Sequence, residues 1–135
     1  MSTPVNFDDT IHIVLDSIPP SLNSYYRHGG RRTYITKVGK AFARKVANKV
    51  VHPHGYCFVG PVTVNITFTV PDKRAHDLDN FFKALLDNLE GWTFTNDQYI
   101  TQLNSRKVYK KNVSKTEVEI RTHPGGYELF TKNLR

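Results

Sequence analysis

The run PDKRAHDLDNFFKALLD, residues 71 to 87, holds four aspartates, two lysines, an arginine and a histidine. Asp77 and Asp79 are two residues apart. On extended chain that spacing points both carboxylates to one side with Cα atoms about 6.5 to 7 Å apart, whereas on a helix it turns them roughly 200° away from each other. Only extended backbone lets the two converge on one ion. Hard divalent cations take oxygen ligands, often one or two carboxylates with waters and substrate phosphate completing the shell. The pair suits Mg²⁺, with Mn²⁺ as a substitute. The competing reading makes Asp79 a helix N-cap and Asp77 a solvated loop acid, because Asp is a favoured cap and its charge suits the helix dipole. A third acid, Asp97, follows the helix and could return to the pair, completing a nuclease-like cluster; otherwise it is an ordinary turn residue.

Lys83 lies four residues after Asp79 and four before Asp87, so a helix would carry all three on one flank. As an exposed charge ladder each pair contributes a few tenths of a kcal/mol, and for Asp87 that is the better reading. Lys83, beside an acid cluster, could instead pair with a phosphate oxygen or stabilise charge developing on it. Asn80 either supports that shell by hydrogen bonding or extends the helix start. A second group, Tyr25, Tyr26, Arg27, His28, Arg31 and Arg32, interleaves flat rings with cations, the chemistry of base stacking with phosphate contact. Its alternative is a solubilising loop whose tyrosines turn into the core. Lys73 and Arg74 precede the acids, where they either neutralise incoming phosphates or stay as solvated turn charges. Other chemistries lack their signatures. The histidines form no HExxH pattern, His52-Pro53-His54 reads as surface, and neither a Walker loop nor a G-x-S-x-G elbow occurs. Cys57, the only cysteine, excludes an intramolecular disulfide and reads as a small buried hydrophobe.

These residues need elements to hold them. Ile11, Ile13 and Leu15 alternate with His12, Val14 and Asp16, as in a half-buried strand that Pro19-Pro20 ends. The stretch from Ser21 to Thr36 reads as a loop. Val38, Phe42, Val46 and Val50 then recur every four residues, predicting a basic amphipathic helix. From Val62 to Val70 apolar residues alternate with Thr and Asn, the clearest strand pattern in the chain. From Asp79 to Glu90 the period changes to 3.6, with an apolar stripe of Phe82, Leu85, Leu86 and Leu89 and a stop at Gly91. Residues 98 to 109 and 116 to 122 predict two more strands, which could pair as a hairpin. The expected fold is α+β: one compact domain over residues 1 to 135 with its core between about 11 and 122, a mixed sheet of about four strands, and two main helices covering it. At 135 residues the chain is about one domain long, and 39% hydrophobic residues suffice for a core. Nineteen Lys and Arg against twelve Asp and Glu leave +7, which favours a polyanionic partner. No apolar run approaches the roughly 20 residues of a membrane helix, so a soluble, cytoplasmic protein is expected.

The combination resembles the RusA family of Holliday junction resolvases, small Mg²⁺-dependent endonucleases of bacteria and their phages. Two motifs carry the likeness: PPSLNSYYRHGGRRTYIT, residues 19 to 36, and HDLDNFFKALLDNL with a following acid, residues 76 to 97. It spans roughly residues 11 to 120. The resemblance implies a homodimeric α+β protein of phage or prophage type, working in the bacterial cytoplasm. It would bind four-way DNA junctions by shape and make paired symmetric nicks with 5′-phosphate and 3′-hydroxyl ends. By motif position, Asp77, Asp79 and Asp97 resemble the family's metal-binding catalytic acids and Lys83 its essential basic residue. Two positions depart from the pattern. Asn96-Asp97 stands where paired acids are common, and His76 where an Arg often precedes the first acid. Two alternatives stay open beside it: a nuclease for a broader range of branched DNA such as flaps or forks, and a DNA-binding module whose acids only cap and solubilise.

Overall fold

The computed structural model describes residues 10–50, 58–74 and 76–122. Cys57 and His52-Pro53-His54, together with both ends of the expected 1–135 domain, lie outside the described residues. Strands β1 (Thr10–Leu15), β4 (Val62–Val70), β5 (Ile100–Tyr109) and β6 (Lys115–Thr122) form one mixed sheet in the order β1-β6-β4-β5. Strands β2 (Tyr26–Gly29) and β3 (Arg32–Ile35) make a separate hairpin, and the helices are α1 (Leu22–Tyr25), α2 (Lys37–Val50) and α3 (Asp79–Leu89). This is the α+β architecture the sequence predicts.

The period-2 pattern decides which sheet face is covered. Val62, Val64, Ile66, Phe68 and Val70 of β4 are buried with Ile11, Ile13, Leu15, Val118 and Ile120 in one core cluster. Phe42 and Val46 of α2 join it, as do Phe81, Ala84, Leu85 and Leu89 of α3. The apolar stripe of α3 is therefore rotated from the expected one: Phe82 and Leu86 sit at its margin, partly buried, and Phe81 and Ala84 face inward. Packing against β4 selects this face, with the Phe68 and Phe81 ring centroids 5.0 Å apart. Helix α3 ends as predicted, with Glu90 as C-cap and Gly91 at φ 86°. The opposite sheet face is polar and open. His12, Asn65, Thr67, Asn104, Arg106 and Glu119 help line a trough of about 500 Å³ there.

Two further expectations fail. The strands of residues 98 to 109 and 116 to 122 do not pair as a hairpin, because β4 lies between them, parallel to β5 and antiparallel to β6. A strand whose core-facing residues are all apolar is most favourably placed inside the sheet. The polar turn after β5 instead folds over the end of β4, where Lys110 and Asn112 donate backbone hydrogen bonds to Val70 and Pro71, and Asn112 adopts φ 62°. The second failure is the loop from Ser21 to Thr36, which is ordered as α1 and the β2–β3 hairpin. Gly29 pairs with Arg32, leaving Gly30-Arg31 as a two-residue turn with Gly30 at φ 62°. A glycine there supplies the positive φ that tight hairpin turns require.

Gly39 shows how closely α2 approaches this hairpin. A Cβ on it would stand 2.7 Å from Ile35 Cγ2 and 2.9 Å from the Tyr25 carbonyl oxygen, and that oxygen is backbone. Gly39→Ala is expected to destabilise by about 1 to 3 kcal/mol through overpacking, against the roughly 1 kcal/mol that alanine's helix propensity would return. Urea unfolding measures this, and a midpoint at or above that of the unmodified chain would contradict the close approach.

Candidate active site

The strand-to-helix junction after β4 begins with Asp72. Its Oδ2 accepts hydrogen bonds from Arg74 Nε and Nη2 at 3.3 and 3.2 Å, its Oδ1 accepts from the Arg74 backbone N–H, and His76 Nε2 lies 2.9 Å from Oδ1. The His76 contact first, and then the Arg74 bonds, lower the Asp72 pKa from 3.8 to about 2. Lys107 Nζ of β5 donates to the His76 carbonyl oxygen. Arg74 is thus engaged with an internal carboxylate. Lys73 lies 5.4 Å from the centre of the Tyr109 ring, within cation–π range, and is exposed. Asp72 holds the junction together, a role its turn position did not signal.

Backbone conformation decides the fate of the Asp77–Asp79 pair. Leu78 has φ −55° and ψ −43°, Asn80 N–H donates to the Asp77 carbonyl at 3.1 Å, and Phe81 N–H donates to that of Leu78 at 3.0 Å. The chain already coils at Asp77. Leu78 is helical, so the pair is not held on the fully extended backbone that the sequence reading requires. Nor is Asp79 the N-cap: Leu78 occupies that position without a side-chain hydrogen bond, and Asp79 stands in the first turn, where its charge suits the dipole. Asp97 opens a single 3₁₀ turn, Asp97–Tyr99, and its N–H donates to Glu90 Oε1 at 2.9 Å. The expected convergence of Asp77, Asp79 and Asp97 is therefore not found: among the described residues no group of three or more His, Cys, Asp or Glu side chains is assembled to hold a metal ion. In kind, the donors fit a hard cation. All three carboxylates are exposed, and among the described residues none is engaged in an ion pair or side-chain hydrogen bond.

Lys83 connects the parts. Its Nζ is 2.9 Å from Asp87 Oδ2, and the same oxygen accepts a 2.5 Å hydrogen bond from the Tyr26 hydroxyl. The ammonium also lies 5.9 Å from the centre of the Tyr26 ring. The hydrogen bond to Asp87 raises the Lys83 pKa against the opposing effect of burial, helped by the charges of Asp87, Asp97 and Glu90. Burial, and then the Asp87 bond, push the Tyr26 phenol far above its ordinary value. Lys83 therefore stays charged, in the field of Asp97 as well as its helical neighbour. Asn80, partly buried, contributes its backbone N–H to the turn at the helix head.

The hairpin divides its expected DNA-contacting residues. Arg27, His28, Arg31 and Arg32 are exposed, with His28 Nδ1 2.9 Å from Thr33 Oγ1. Tyr25 is buried at 2% exposure, and its hydroxyl accepts a hydrogen bond from Asn88 Nδ2, so it cannot stack on a base; Tyr26 is partly buried and committed to Asp87. The exposed ring is Tyr34, at 52%, cross-strand from Arg27. Together with Arg27 and Lys37 it lines a hollow of about 490 Å³ between the hairpin and the start of α2. Hairpin pairing across Gly30-Arg31 would have identified it.

The chain matches the model of the endodeoxyribonuclease RusA family over residues 17–121. It is 37% identical over 110 residues to a crossover junction endodeoxyribonuclease of Enterobacteria phage 82, covering 79% of this chain and 88% of that protein. Proteins of the same name from Escherichia coli and Shigella sonnei are each 36% identical over 100 residues, covering 72% of this chain and 80% of theirs. The matched region runs from just after β1 to the end of β6 and includes the hairpin, the junction acids and Asp97. The chain belongs to the RusA family of endodeoxyribonucleases.

Proposed function

We propose that this protein is a structure-selective, metal-dependent endodeoxyribonuclease that resolves four-way DNA junctions, acting as a homodimer in the bacterial cytoplasm and making paired symmetric nicks. The observation that supports it best is the placement of Lys83 on α3, in the field of Asp97, with Asp79 in the first turn of that helix and Asp77 just before it, both exposed, within a chain of net charge +7. Fixed cations on the hairpin neutralise backbone phosphates without reading sequence, as recognition by shape requires. Arg27, His28, Arg31 and Arg32 are exposed for that task, with Lys73 beyond.

Asp77, Asp79 and Asp97, which are not gathered in this structure, would be drawn together by Mg²⁺, or Mn²⁺ in its place, with waters and substrate phosphate completing the shell. When bound, such an ion supplies Lewis-acid polarisation of the scissile phosphate and a water-derived nucleophile at neutral pH. Lys83 donates to a non-bridging phosphate oxygen and stabilises the charge that grows there. Hydrolysis breaks the bond between phosphorus and the 3′ oxygen and adds water across it, leaving a 5′-phosphate and a 3′-hydroxyl.

The test compares synthetic four-way junction, fork and linear duplex at one salt concentration, since salt alone changes affinity by orders of magnitude. Each is incubated with Mg²⁺ and with a chelator. Metal-dependent, paired cutting of the junction in preference to the others is expected. Binding without cutting would leave a DNA-binding module, and equal cutting of fork and junction would leave a broader nuclease.

A further inference from the structure

We propose that Asp87 is a positioning residue of the active site: its Oδ2, accepting from the Tyr26 hydroxyl and the Lys83 ammonium at once, fixes the direction of the lysine and ties it to the DNA-contacting hairpin. The inference rests on Lys83 being the basic residue of the site. An i,i+4 pair on a helix ordinarily needs no such explanation, and with Lys83 57% exposed this one contributes little to stability. Tyr26 changes that reading. It reaches the carboxylate from 61 residues away in sequence and is the first residue of β2, the strand that continues into Arg27 and His28.

The remaining contacts make the connection stiff. Tyr26 packs edge-on against the buried Tyr25, with ring centroids 4.6 Å apart. The Tyr25 hydroxyl accepts from Asn88 Nδ2 at 2.9 Å, and that amide also donates to the Ala84 carbonyl at 2.6 Å. Adjacent residues of α3, Asp87 and Asn88, thus each grip one of two adjacent tyrosines. The Lys83 ammonium lies 5.9 Å from the Tyr26 ring centre, so ring and carboxylate bound its position on two sides. A long, flexible side chain is thereby restricted in direction before substrate arrives. Displacing a catalytic group by about 1 Å can cost on the order of 10²-fold in rate.

The experiment uses the full chain with Mg²⁺ and a synthetic four-way junction, measuring single-turnover cleavage at saturating protein, junction Kd and thermal unfolding. Asp87→Asn is expected to slow cleavage about 10- to 100-fold with Kd changed by less than about twofold, and Asp87→Glu to restore part of the rate. Tyr26→Phe, which keeps the ring and removes only the hydroxyl, should lose a smaller part; it carries the test should Asp87→Asn not fold. In a Lys83→Ala background, neither Asp87→Asn nor Tyr26→Phe should slow cleavage further, because both act through the lysine. A merely structural role would shift unfolding and leave the two losses multiplicative. Unchanged or faster cleavage by Asp87→Asn while Lys83→Ala is slow overturns the proposal. Normal cleavage by Lys83→Ala overturns the reading of Lys83 beneath it, a different and separable result.

Discussion

Asp79→Asn should bind a four-way junction as tightly as the unmodified chain or more tightly, and cleave it at least about 10³-fold more slowly, a loss of roughly 4 kcal/mol of barrier stabilisation. The carboxylate is exposed and none of the described residues pairs with it, so the amide removes a charge without opening a cavity. Its structural cost is confined to a favourable interaction with the helix dipole, about 0.3 to 1 kcal/mol. Losing a negative charge beside incoming phosphates favours binding, whereas an amide is a much poorer ligand for a hard cation. Asp77→Asn should behave alike, from a position where the chain is already coiled. Single-turnover cleavage and gel-shift titration of one junction separate the two effects. Near-normal nicking by both variants would remove these acids from the chemistry, and a fall in affinity matching the fall in rate would make them binding residues instead.

Legibility in the sequence followed the strength of local periodicity. The β4 alternation and the presence of helices α2 and α3 could be read directly, because burial on one face imposes a period of 2 or 3.6, while the face that α3 buries was read about one residue off. Partner choice among strands could not. The segments of β5 and β6 have similar local patterns, and only the demand that β4 be covered on both edges separates them. The hairpin was missed for a related reason: its residues are exposed except Tyr26, so no alternation marks it, and Gly29-Gly30 was its turn signal. Within the site, Lys83 and Asp87 stood at a legible i,i+4 spacing, but the third partner, Tyr26, comes from another element and has no local signature. The geometry of Asp77 and Asp79 depended on where the first helical turn begins. Leu78, an uncapped residue in helical conformation, started it earlier than the favoured Asp cap would have.

The largest expected loss of stability lies in the layer that seats α3 on the sheet. Phe68 is fully buried in β4, with its ring centroid 5.0 Å from that of Phe81 and 6.1 Å from that of Phe82. Two residues of the helix that begins with Asp79 therefore rest on one side chain. Phe68→Ala should destabilise the protein by about 3 to 5 kcal/mol, a large share of the roughly 5 to 15 kcal/mol that holds a domain folded. Phe68→Leu keeps most of the volume and should cost less, so the two variants graded together test packing rather than strand propensity. Urea unfolding gives the order. Because this loss comes through the seating of α3 and Asp79→Asn acts through charge, the two variants should fail differently: cleavage by Phe68→Ala should recover as temperature is lowered toward its stability maximum, and cleavage by Asp79→Asn should not. An unchanged unfolding midpoint for Phe68→Ala would show that the helix is held elsewhere, and with it that the position of Lys83 is not set by this layer.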